Sequence, residues 1–432
     1  MRLSRCLSIL VLAAAAGLVS AAPPVWQRSI RVEEPTGAGR EAWPVLVRVD
    51  APPDDPGGRR LRVYQRDGEG KQTPVPSQVM DVAEPGVDRP GVSNGTVELC
   101  FQADLKPFST NLFVVRAGRE PVVKPAARLS YESGGFGIKV DCGPALFSFD
   151  PLSGQFASYR PAMAGLDRDL SFKQAGRYRP CHWNPDVWVE GRSWGHTSDW
   201  NCERPELRPE MAIDRGELAF RMIRTGRMWS AEAVQATVVY TAFAGMPFLL
   251  ESSDMLFVSN AVVKAIRHNE LVFSRGFHTL AVWPDEAGVP RSTPLYNKPD
   301  PKTFLGRVKT VSADSPWVAL ANDDLGYGIG VVNFRRSETA PAGASPQSGN
   351  ACIYFLDYGD HGTGDHYDWN FAYVCRPLYY DDKQPVAIAA GSRYAEQSAF
   401  LAFGLGGPGR ADYRDMLRWI ELLRNPPRVT VE

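Results

Sequence analysis

The chain has 432 residues, with 48 Lys and Arg against 49 Asp and Glu, for a formal net charge of -1. No basic run interrupts that balance, which excludes the clustered positive surface that nucleic-acid binding uses. A chain of this length is enough for two or three ordinary domains.

The N-terminus reads as an address. Arg2 and Arg5 precede an apolar run from Leu7 to Val19, and Ser20, Ala21 and Ala22 supply small residues for cleavage, the pattern of a secretory signal peptide over residues 1–22. That run is too short for a confident membrane span, and no later segment reaches the roughly 18 to 20 apolar residues a spanning helix needs. A secreted or periplasmic protein with no membrane span is the expectation.

An exported chain meets an oxidising compartment, where cysteines tend to pair. Six lie beyond the leader: Cys100, Cys142, Cys181, Cys202, Cys352 and Cys375. Pairing Cys181 with Cys202 and Cys352 with Cys375 would bracket two loops rich in polar and aromatic residues. Cys100 and Cys142 are then a third pair or free thiols.

From residue 24 to 118 the chain reads as a small β domain. In "VELCFQADL" the residues Val97, Leu99, Phe101, Ala103 and Leu105 alternate with Glu98, Cys100, Gln102 and Asp104, the period-two pattern of a half-buried strand. "VWQRSIRVEE", "WPVLVRVD" and "RLRVYQRD" share that character between turn clusters such as "PPDDPGG". "AGREPVVKPAAR" reads as a linker. From residue 126 to 432 follow the strands of a large antiparallel β-sandwich, among them "VQATVVYTAF", "PFLLESSDMLFV", "KAIRHNELVFS", "YGIGVVNF", "ACIYFLDY" and "SAFLAFG". One amphipathic helix, residues 411–425, sets Tyr413, Met416, Leu417, Ile420 and Leu423 on one face and stops at Asn425-Pro426-Pro427. The fold class is mainly β.

The first block, "VYQRDGEGKQTPVPSQV" with "TVELCFQADLKPFSTNLFVV", resembles the small β domain that precedes a large sandwich in several carbohydrate-active enzymes. The second, "LSYESGGFGIKVDCGPALFSFDPLSGQFASY" with "VQATVVYTAFAGMPFLLESSDMLFV", is similar to a galactose-mutarotase-like supersandwich. Such folds occur in polysaccharide lyases, in the β half of some retaining mannosidases and in epimerases. The resemblance is one of strand rhythm and carries no catalytic motif; it implies fold and a sugar substrate. No mannosidase α/β domain or lyase α/α toroid is legible, so catalysis is assigned to the β domains and their loops.

Chemistry concentrates in three places. "CHWNPDVWVEGRSWGHTSDWNCE" carries Trp183, Trp188, Trp194 and Trp200 among Asn184, Asp186, Arg192, His196 and Asp199, and an indole face beside polar groups suits a sugar ring; a satellite core under a long loop suits the same tryptophans. Cys181, His182, His196 and Cys202 have the ligand types for zinc but lack close ligand pairing. "KAIRHNELVF" places His268 and Glu270 on one face of a strand, as a base and its orienting carboxylate or as a satisfied polar pair.

The third is "DYGDHGTGDHYDWN", residues 357–370. Asp360, Asp365 and Asp368 are possible calcium ligands, without EF-hand spacing, and Asp and Gly also suit an ordinary hairpin turn. After Gly364 the pattern becomes a strand with His366, Asp368 and Asn370 on one side and Tyr367 and Trp369 on the other. No other cofactor is implied.

A lyase acting on a uronate-containing glycan needs a carboxylate neutraliser, for which Arg192, Arg267 or Arg376 is suited, and a base and an acid, roles suited to His and Tyr. A hydrolase needs two carboxyl groups flanking the bond. The sequence reading favours the lyase, with catalytic candidates His196, His268, His366, Tyr367 and Glu270. Trp183, Trp188, Arg192, Trp194, Trp200, Asp368, Trp369 and Asn370 are the substrate-binding candidates. A poly- or oligosaccharide is the partner expected; a hydrolase or a non-catalytic glycan-binding sandwich are the alternatives.

Overall fold

The computed structural model describes residues 26–80, 95–132, 138–151, 153–162, 169–170, 172–174, 177–179, 181–183, 185–191, 209–228, 231–274, 277–295, 307–347, 351–358, 371–381 and 383–432. Residues 1–25 lie outside them. No helix among them is long and apolar enough to cross a membrane.

Two sheets make the sandwich. The large sheet has nine strands, ordered Glu210–Arg215, Ala219–Met228, Ala231–Phe243, Phe248–Phe257, Arg393–Gly404, Tyr327–Thr339, Trp317–Asn322, Leu280–Pro284 and Pro290–Pro294. The second sheet is centred on the strand Ala261–Ser274, which pairs with Phe371–Tyr380 on one side. Val386–Ile388 continues that side, and along the other run His182–Trp183 and Asp186–Val189.

Alternation explains the large sheet. On Arg393–Gly404, Tyr394, Phe400 and Ala402 enter the core between the two sheets, whereas Ala399, Leu401 and Phe403 enter a second core on the other face. A strand buried on both faces needs apolar residues in both registers, which is why "SAFLAFG" shows no clean alternation.

The second core is shared. It joins Ile30, Val45, Leu99 and Phe113 of the small domain to Trp317, Leu401 and Phe403 of the large sheet and to Met416 and Ile420 of the helix Arg414–Arg424. The small domain therefore docks on the sandwich through apolar burial, and Thr96–Leu105 is buried almost throughout rather than on one face. Glu98, on the face expected to meet water, instead accepts hydrogen bonds from Arg221 Nη1 and Nη2 at 3.1 and 2.9 Å. Gln78 Oε1 accepts from the backbone N–H groups of Leu218 and Ala219, each at 3.0 Å. Gly216 is what admits Gln78: a Cβ there would stand 2.0 Å from the Gln78 side chain.

The chain's last strand, Arg428–Val431, returns to pair antiparallel with Gln27–Glu33 in the small domain. Arg40, ion-paired with Glu34, donates to the carbonyl of Leu422 at 2.9 Å and so meets the open carbonyl end of the helix. The small domain is thus assembled from both ends of the sequence, beyond the 24–118 span that the alternating pattern marks out.

Candidate functional site

The described polar groups converge on the strand Ala261–Ser274. Val187 and Ile266, opposite each other in register, both enter the core between the sheets. Their neighbours Asp186 and Arg267, also opposite each other, therefore fall on the outward face of the second sheet. Arg267 Nη2 is ion-paired with Asp186 Oδ2, and its Nη1 lies 3.5 Å from Glu270 Oε1. Two carboxylates from two strands thus meet on one guanidinium, and all three residues are at most 5% exposed.

Burial makes this arrangement specific. An ion taken out of water costs several kcal/mol unless it is paired, and Arg267 is a partner of both carboxylates. The register also sets Trp183 and Cys375 opposite Glu270 on the flanking strands. The Trp-rich segment and the segment after residue 370 therefore run directly into this part of the sheet.

His268 does something different from the expected partnership with Glu270. Its Nδ1 lies 2.9 Å from Ser253 Oγ on the large sheet, and the ring is wholly buried. Asn269 Nδ2 donates to Ser398 Oγ at 3.0 Å, and Ser398 Oγ donates to Glu251 Oε2 at 2.9 Å. His268 and Glu270 thus sit on opposite faces. The period-two reading fails there because the ladder is irregular between Ile266 and Asn269.

Trp188 is buried, with the Lys264 ammonium 4.8 Å from its ring centroid. Trp183 is placed by its backbone alone, on the strand His182–Trp183. Arg192, Trp194, His196, Trp200, Cys202, Asp360, Asp365, His366, Tyr367, Asp368, Trp369 and Asn370 lie outside the described residues, as do the calcium and zinc arrangements that use them. Among the described residues no group of three or more His, Cys, Asp or Glu could hold a metal ion.

Cys181 is a buried thiol whose Sγ lies 3.7 Å from the Phe156 carbonyl; it is free, not half of a bridge to Cys202. Cys352 lies on a strand next to that of Cys375, where Tyr354 is the residue opposite Cys375. Cys100 and Cys142 belong to different cores and are free, so they do not form a third pair. Burial pushes the Cys100 thiol up to about 12 and the Cys181 thiol well above the usual range. None of these three has the electropositive, accessible setting of a reactive cysteine. His278, wedged between Phe273 and Tyr327, is held neutral by burial, its pKa lowered to about 3.

Sequence reasoning picked out His268 and Glu270 as a pair, Arg267 for a uronate carboxylate and Asp186 as a polar neighbour of the tryptophans, but it did not join Asp186 to Arg267, nor single out Ser253, Ser398 and Glu251 for the interior. The signal for the last three was the polar run inside "PFLLESSDMLFV" and the serine in "SAFLAFG", which alternation places in an otherwise apolar core.

No protein-family model matches the chain, and no curated protein matches its sequence. Among solved structures, an alpha-mannosidase from Enterococcus faecalis V583 aligns over 94% of this chain and 46% of its own, at 10% identity and a TM-score of 0.46. A galactose mutarotase-like protein from Lactobacillus casei ATCC 334 aligns over 64% of this chain and all of its own, at 10% identity and a TM-score of 0.36. A GH36 alpha-galactosidase from Geobacillus stearothermophilus aligns over 64% of this chain and 41% of its own, at 12% identity and a TM-score of 0.39. The chain spans less than half the length of the mannosidase and the galactosidase. What is similar is the arrangement of strands, and no site residue is carried over from them.

Proposed function

We propose that the chain is an exported carbohydrate-active enzyme that cleaves a glycosidic bond at the outward face of the second sheet, with Asp186 and Glu270 as its carboxyl pair. The observation that carries this reading is the convergence of those two carboxylates on Arg267. Glycoside hydrolysis needs two carboxyl groups close together, one to protonate the leaving oxygen and one to act as base or nucleophile. Arg267 bridges the two. The tryptophan-rich segment enters the sheet beside them, through Trp183 opposite Glu270, which suits a sugar partner.

This reading places hydrolysis ahead of β-elimination. Arg267, a candidate for meeting a uronate carboxylate, is already engaged by two carboxylates of the chain, and His268 turns inward to Ser253. Lyase chemistry would rest on His196, His366 and Tyr367. Incubation with a panel of neutral and uronate-containing glycans separates the two. New reducing ends without an unsaturated product support hydrolysis, whereas absorbance from an unsaturated uronate overturns it in favour of elimination.

Export follows the leader-like N-terminus and is tested by fractionating cells that express the full chain. Mature protein beginning near residue 23 outside the cytoplasm is the expected result; unprocessed cytoplasmic protein would overturn it.

A further inference from the structure

Residues three apart on a regular strand point to opposite faces, because side chains alternate. Arg267 and Glu270 are three apart, yet they meet at 3.5 Å. The ladder to the neighbouring strand shows how. Ile266 pairs with Tyr379, Arg267 with Pro377 and Asn269 with Arg376, so Leu378 is passed over on one strand and His268 on the other. The two irregularities cancel: Ala265 pairs with Tyr380 on one side and Glu270 with Cys375 on the other, in the same offset.

The local effect is a break in alternation. Arg267 and Glu270 take the outward face, while the consecutive residues His268 and Asn269 both point inward to the large sheet. Both inward groups are held there by hydrogen bonds, His268 to Ser253 and Asn269 to Ser398, with Ser398 in turn on Glu251. None of these five side chains is more than 4% exposed. A buried polar group is costly to leave without a partner, so the hydroxyls favour this strand geometry over one that turns His268 or Asn269 away.

We propose that Ser253 and Ser398 are positioning residues for the Asp186, Arg267 and Glu270 cluster. Through His268 and Asn269 they hold the irregular step that brings Arg267 and Glu270 onto one face. The kinetic consequence rests on the glycosidase reading above; the geometric consequence does not.

The experiment compares the wild type with S253A, S398A, the double alanine variant and the conservative S253T/S398T, all as full chains. The geometric readout is the side-chain Nε–H signal of Arg267 in protein labelled with 15N-arginine, assigned by its loss in R267K. In the double alanine variant that signal shifts and exchanges with solvent about tenfold faster or more, while hydrogen-exchange mass spectrometry shows the amides of Thr96–Leu105 keeping their protection; S253T/S398T restores the Arg267 signal. The kinetic readout is a fall in kcat of about tenfold or more with KM within about twofold. An unchanged Arg267 signal in a folded double alanine variant overturns the proposal. Should that variant not fold, the single variants are read by the same signal, and wild-type behaviour in both overturns it equally. If the wild type cleaves no glycan, the functional reading fails while the Arg267 signal still decides this one.

Discussion

Arg221 grips Glu98 with both terminal nitrogens, at 3.1 and 2.9 Å, across the boundary between the sandwich and the small β domain. Both side chains are buried, at 1% and 8% exposure. Removing one partner takes a counter-ion from a buried charge, which costs about 3 to 5 kcal/mol. E98A is therefore expected to lower stability by that amount in urea unfolding, with the two units still unfolding in one transition because Leu99, Phe113, Leu401 and Met416 share a core.

The large sheet is buried on both faces, so truncation on either face is expected to be felt. Leu401→Ala, at 0% exposure in the shared core, is expected to cost about 2 to 5 kcal/mol. Leu325→Ala, at 40% exposure, is expected to stay within about 0.5 kcal/mol. Thermal or urea denaturation of the two variants checks the contrast.

His278 gives the stability an acid limb. Its folded pKa, about 3, lies below the ordinary histidine value of 6.5. Between those two values the unfolded chain holds a proton that the folded chain does not, so stability falls as pH drops from about 6.5 toward 3. The expected loss is a few kcal/mol, on the order of 1.4 kcal/mol for each pH unit crossed within that window. His278→Phe is expected to flatten the dependence across that window in denaturation curves taken at several pH values; an unchanged slope would contradict it.

The thiols make a separate check. Cys100, Cys142 and Cys181 are free and buried, and burial raises the pKa of each. A thiol reagent at neutral pH is expected to leave all three unmodified in the folded protein and to label at least three cysteines after unfolding without reductant. Fewer than three would contradict their free state.

The class of fold was legible because strands announce themselves through alternation, and the helix through its apolar face and the Asn425-Pro426-Pro427 stop. Alternation failed in two instructive places. On Thr96–Leu105 the polar residues Glu98 and Gln102 mark a face buried against another domain, and the sequence carries no sign that Arg221, 123 residues further on, supplies the partner of Glu98. On Ala261–Ser274 the same rule put His268 beside Glu270, because the irregular step between Ile266 and Asn269 depends on pairing with Phe371–Tyr380 and on hydroxyls of the opposite sheet. Asp186 was one polar residue among many in its segment until register set it opposite Arg267.

The most direct measurement is the rate at which D186N and E270Q cleave the glycan on which the wild type is fastest. Both substitutions keep the shape of the carboxyl pair and remove its proton chemistry. Each is expected to lower kcat by about 10² to 10⁴-fold, with the folded state verified by unfolding. Wild-type rates in both variants, or no cleavage of any glycan by the wild type, would contradict a catalytic role for Asp186 and Glu270.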